Sequence, residues 1–100
     1  MMKFEDIIEN YPDTTFLKAD GFDDAILGVS EEMNRPTRLI YSKKKCIEIL
    51  AKQMRVKKSE LEEGQTVRDK KWEMALEYFE FNVSGAYVGE KTPIWCDDCW

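Results

Sequence analysis

Cys96-Asp97-Asp98-Cys99 is the most conspicuous chemical motif in this sequence. A C-x-x-C pair supplies half of a four-ligand zinc site or the two thiols of a redox dithiol. The only other cysteine is Cys46 and there is no histidine, so a zinc site would need Cys46, Cys96, Cys99 and an aspartate together. A redox dithiol draws its reactivity from an electropositive setting such as a helix N-terminus. Here two aspartates stand between the thiols, and their charge opposes thiolate formation. The expectation is therefore no cofactor and no metal, with Cys96 and Cys99 a residual candidate pair that closes a local disulfide on oxidation. An odd cysteine count also argues against a secreted disulfide framework.

The missing histidine removes every Ser-His and Cys-His nucleophile pair and the commonest general base. Neither a G-x-x-x-x-G-K-[ST] loop nor a G-x-G-x-x-G turn is present to cradle phosphates. Ser42-x-x-Lys45 matches the S-x-x-K of penicillin-recognising enzymes, without their other motifs. Asp20, Asp23 and Asp24 surround Gly21 and lack the calcium-loop spacing, so they read as turn formers. No complete catalytic set emerges, and the expectation is a non-enzyme. Cys46 falls on an apolar helix face, where a structural thiol is the common case.

What does stand out is charge. Residues 1–32 carry nine acids and two lysines, residues 33–58 nine bases and one acid, and residues 59–100 ten acids and four bases. The chain is acidic, then basic, then acidic, for a net charge of −5. Folding the basic segment against its neighbours leaves a mixed surface. Left exposed, Lys43, Lys44, Lys45, Lys52, Arg55, Lys57 and Lys58 on a helix over 43–58 form a candidate face for a protein partner or for nucleic acid. Tyr87, Glu90 and Trp95 form a second candidate, a binding loop, and Tyr78 and Trp100 could join its aromatics in a platform.

These residues need elements to position them. One hundred residues suffice for one domain that buries about 65% of its unfolded surface. Phe4, Ile7, Ile8 and Tyr11 recur at helical spacing, and Pro12 ends that helix. Residues 14–17, 25–29 and 37–41 read as strands, with Asp20-Gly21 and Asn34-Arg35-Pro36 as punctuation. Short connections favour a three-stranded antiparallel meander. Ser42 can cap the next helix, which presents Cys46, Ile47, Leu50 and Met54 on one face. Its three leading lysines oppose the helix dipole. That conflict is met either by a function or by a nearby carboxylate.

Ser59-x-x-Glu62 resembles a capping box within a loop over 56–66. A long helix follows from about Val67 to Ser84. Trp72, Ala75, Leu76, Phe79 and Val83 form its main stripe, and Met74, Tyr78 and Phe81 a second row. An apolar surface that wide predicts burial on two sides, on the sheet and on a partner subunit. Gly85 suits a left-handed cap. Residues 94–100 read as an extended tail. The fold class is α+β, one domain over 1–100, a three-stranded antiparallel sheet with about three helices.

The stretch from Ala75 to Pro93, A-L-E-Y-F-E-F-N-V-S-G-A-Y-V-G-E-K-T-P, resembles a segment of small uncharacterised proteins of tailed bacteriophages. Their pattern runs approximately E-Y-F-x-F-N-x-x-G-A-Y/W-V-G-E-x-T-P. Asp20 through Val29 and Tyr41 through Leu50 also look like that group. Residues 56–71 and the ending Cys96–Trp100 depart from it. The group brings no established activity. The resemblance implies a phage-type accessory protein that binds a host protein, such as an inhibitor of a defence or transcription complex, in the cytoplasm of an infected bacterium. The alternative is nucleic-acid binding through the basic helix. The lack of a long apolar run or signal-like N-terminus predicts a soluble, intracellular protein with no membrane partner. A homo-oligomer is compatible with each reading.

Overall fold

Phe4, Ile7, Ile8 and Tyr11 do build a helix, α1, over Phe4–Asn10, with Ile7 fully buried. The computed structural model describes residues 3–86 and 88–99. They fall into two units, one of residues 3–45 and 88–99 and one of residues 46–86.

The first unit holds the sheet. β1 (Ile26–Ser30) pairs antiparallel with β2 (Arg38–Ser42). The ladder slips between Ile26 and Gly28, so Leu27 is an extra residue and is left 38% exposed. β3 (Ile94–Cys96) lies on the other side of β2 and runs parallel to it, in the register Ile40↔Ile94, Tyr41↔Trp95, Ser42↔Cys96. The domain class is thus α+β with a three-stranded sheet, but the sheet is mixed. The expected meander is corrected in one respect: its third strand comes from residues 94–96, the expected extended tail, and not from residues 14–17. β2 is central, which is why Leu39, Tyr41 and Ser42 are buried.

Residues 14–17 have strand composition but no ladder. Their aromatic residue is used sideways instead. The Phe16 ring meets Phe4 and Tyr11 edge-on, with centroids 6.4 and 6.0 Å apart. The Thr15 carbonyl accepts a hydrogen bond from Lys91 Nζ at 2.8 Å. β propensity measures fit to a pleated, half-buried surface, and here α1 offers the apolar contact that such a surface would have supplied. The segment is then tied to the sheet by the Ala19 amide, which donates to the Tyr41 hydroxyl at 2.8 Å. Asp20-Gly21 turns as expected, with Gly21 at φ 90°.

α2 (Lys43–Gln53) starts in the first unit and continues in the second. Cys46, Ile47 and Leu50 are its buried face. It stops at Gln53, five residues before the expected end at 58. The stripe positions one turn beyond Met54 are Lys57 and Lys58, and packing of that stripe is what sustains a helix of this length. A single 3₁₀ turn occupies Lys58–Glu60.

α3 (Val67–Tyr78) opens with a capping box. The Asp69 amide donates to Thr66 Oγ1 at 3.1 Å, and the Thr66 amide donates to Asp69 Oδ2 at 3.3 Å. The box is therefore Thr66-x-x-Asp69 and not Ser59-x-x-Glu62. α3 passes directly into a π turn over Phe79–Val83, closed by the Ser84 amide donating to the Phe79 carbonyl at 2.9 Å. Gly85 does not take the left-handed conformation expected of it, since Gly21, Gly64 and Gly89 are the described glycines with positive φ. The π turn ends the helix in its place.

The main stripe of α3 turns inward, with Ala75 and Phe79 fully buried and Trp72, Leu76 and Val83 half-buried. The second row does not: Tyr78 is 48% exposed and Phe81 77% exposed. Two phenylalanines two residues apart thus have opposite roles. Phe79→Ala is expected to cost about 3–5 kcal/mol of stability by leaving a cavity, and Phe81→Ser to change it by no more than about 0.5 kcal/mol. Urea denaturation of both variants beside the parent protein checks this. Thr66→Ala should cost about 1 kcal/mol through loss of the cap in the same assay.

Candidate functional site

The start of α2 is where the lysine conflict is met. Ser42 is 2% exposed, and its Oγ accepts the Lys45 amide at 3.0 Å, the N-cap bond that its position predicts. The same hydroxyl donates to Asp98 Oδ2 at 2.5 Å. Asp98 Oδ1 accepts the Lys44 amide at 2.8 Å. Two of the amides that a helix start leaves open are thereby satisfied, and a negative charge is set against the dipole's positive end. The nearby carboxylate is the resolution, and it comes from inside the C-x-x-C motif.

That geometry fixes the electrostatics of the tail. Burial alone would raise the Asp98 pKa, but the hydrogen bonds from Ser42 and from the Lys44 amide outweigh it. With the Lys44 charge they hold the carboxyl below its ordinary value. Burial pushes the Cys99 thiol up, and Asp97 and Asp98 add to this, against the opposing charges of Lys43 and Lys44. Cys96 and Cys99 are exposed and Cys46 is buried. Among the described residues no three cysteine, aspartate or glutamate side chains come together as a metal-ligand set. What the motif contributes here is the carboxylate of Asp98.

The basic candidates do not form one helical face. Lys43 and Lys45 are half-buried at the start of α2, and Lys44 is exposed there. Lys52 is exposed on the last turn of α2, while Arg55, Lys57 and Lys58 are exposed beyond its end. Within the second unit Lys52 shares a groove of about 650 Å³ with Arg68, Lys71, Trp72, Glu48 and Asp69. Of the loop candidates, Glu90 lines a shallow polar depression of about 330 Å³ with Arg35 and Arg38. Trp95 is a half-buried residue of β3, its ring 5.1 Å from that of Tyr41. Tyr87 and Trp100 lie outside the described residues.

A further surface emerges that the sequence had assigned to the interior. Met74, Tyr78 and Phe81, at i, i+4 and i+7 along α3 and its π turn, line a depression of about 340 Å³ together with Met54, Glu77 and Asn82. The Asn82 side chain donates to the Tyr78 carbonyl at 3.3 Å and fixes one edge of the turn. The spacing of the row was legible, but its exposure was not, because periodicity counts apolar faces without saying what covers each. π turns recur at functional positions in helices.

The chain matches no protein-family profile, no curated protein and no solved structure. No helix among the described residues is long and apolar enough to cross a membrane.

Asp98→Asn keeps an oxygen for the Lys44 amide and removes the charge, so it is expected to lower stability at pH 7 by about 0.3–1 kcal/mol, the scale of a carboxylate at a helix N-terminus. The sign with pH follows from its lowered pKa. The parent's extra stability is present above the unfolded carboxyl value of ~3.9, and it is lost as pH falls through the lower folded-state value. Urea midpoints measured from neutral to acid pH should converge for parent and variant at the acid end.

Proposed function

We propose that this protein is a non-enzymatic accessory protein that acts by binding another protein through the exposed row of α3. The observation that carries this reading is Phe81, 77% exposed beside a half-exposed Tyr78, the two lining one depression with Met54 and Met74. A scattered apolar residue on a surface needs no explanation, but a contiguous aromatic and methionine patch does. Aromatics and methionine are enriched at interfaces, because they bring large contact area at modest entropic cost. The resemblance of residues 75–93 to phage proteins covers this same surface and supports a host protein as the partner, met in the bacterial cytoplasm.

A second reading has its own observation. Lys52, Arg68 and Lys71 beside Trp72 combine cations with an aromatic ring in one groove, the composition that single-stranded nucleic acid uses. Glu48 and Asp69 line the same groove and weaken its attraction for phosphate.

The test is a pull-down from bacterial lysate, with and without nuclease, using the parent protein and Phe81→Ser. A stoichiometric protein that survives nuclease and is lost with Phe81→Ser supports the docking reading. Retention that disappears with nuclease and is unaffected by Phe81→Ser moves the case to the groove and to nucleic acid, where affinity should fall steeply with salt. Robust substrate turnover that persists through careful purification would overturn both.

A further inference from the structure

The docking reading leaves the chemistry of the partner open, and the other row on α3 addresses it. Glu73, Glu77 and Glu80 follow one another at i, i+4 and i+7, one position before Met74, Tyr78 and Phe81. On a helix these are adjacent stripes. All three glutamates are exposed, so the outward side of α3 is half acidic and half apolar. Glu73 is engaged locally: it accepts from Gln65 at 2.8 Å and lies 3.8 Å from Lys70. Glu77 lines the depression itself, and among the described residues it is the charged side chain that does so.

Resting on the docking reading, we infer that the partner presents a basic amphipathic segment. An apolar side chain of that segment enters the depression between Met54, Met74, Tyr78 and Phe81, and its flanking Lys or Arg side chains meet Glu77 and Glu80. Complementary charge of this kind steers encounter and fixes register, and like charge at the same place excludes competitors. The same argument disfavours a second copy of this chain. A two-fold contact places the same patch on both subunits, so each would bring an acidic row and no basic one to the seam, in a protein whose net charge is already −5. The acidic row equally repels phosphate, which separates this surface from the groove containing Lys52.

Three synthetic helical peptides of about 18 residues, long enough for five turns, test this. They share one leucine face, and their polar faces are Lys/Arg, Gln/Ser or Glu/Asp. Calorimetry gives affinity, and amide chemical-shift mapping gives location. The basic peptide should bind and shift Glu77, Tyr78 and Phe81. Binding should be lost with Phe81→Ser. It should weaken about five-fold with Glu77→Gln and Glu80→Gln combined, the effect of two exposed ion pairs, and about as much in high salt. Both glutamates are exposed, and unchanged urea midpoints for the double variant exclude a folding defect.

Equal binding of the neutral or acidic peptide overturns the inference. So do binding that leaves α3 unshifted, no binding by any peptide, and self-association of the parent that Phe81→Ser abolishes. Where the lysate partner is captured through Phe81 but the peptides show no charge preference, the docking reading stands and the basic partner falls. Where neither occurs, both fall.

Discussion

The carboxylate of Asp98 at the start of α2 is the contact on which the first unit's arrangement depends. Three consecutive lysines at a helix N-terminus repel one another and the dipole. A Ser42 cap alone satisfies one amide and brings no charge. Asp98 adds a second satisfied amide, orients the Ser42 hydroxyl and supplies the counter-charge. It can reach there because β3 runs parallel beside β2, with Cys96 opposite Ser42, two residues before Asp98. A parallel pair needs a long crossover between its strands. In this chain the whole of Cys46–Ala86 is contained in that crossover, so the helices of the second unit sit in the connection the sheet requires.

This changes what the C-x-x-C motif means. Read as two thiols, it suggests zinc or redox chemistry. In the folded protein Cys96 and Cys99 are exposed, and partial desolvation together with the neighbouring aspartates makes the Cys99 thiol less acidic. The residue that does structural work is the second aspartate between them. The same spacing also spans a strand end and a short reach to a helix start.

The second unit shows how one helix can serve both a core and a surface. Thr66 and Asp69 fix where α3 begins, and the π turn fixes how it ends. Between them Ala75 and Phe79 face inward, while Tyr78 and Phe81 face out beside a row of glutamates. Burial of Phe79 contributes the stability, and exposure of Phe81 contributes none. The proposed docking rests on this surface aromatic row with a charged row alongside, the first for apolar contact area and the second for selectivity.

Local patterns determined much of this protein. The spacing of Phe4, Ile7, Ile8 and Tyr11 specified α1, Ser42 specified the start of α2, and the β-branched and apolar runs specified β1 and β2. In each case the physical cause lies within a few residues, in periodicity, a cap or a turn. The tertiary structure decided what depends on distant neighbours. Residues 14–17 and 94–96 both have strand-forming side chains, and the edge of β2 is taken by the second, which brings Asp98 to the start of α2. Which acid answers the lysines lay 54 residues from Lys44 along the chain. Whether Phe81 would be covered could not be read from its helical spacing, because an apolar stripe is the same in sequence whether it faces a core or awaits a partner.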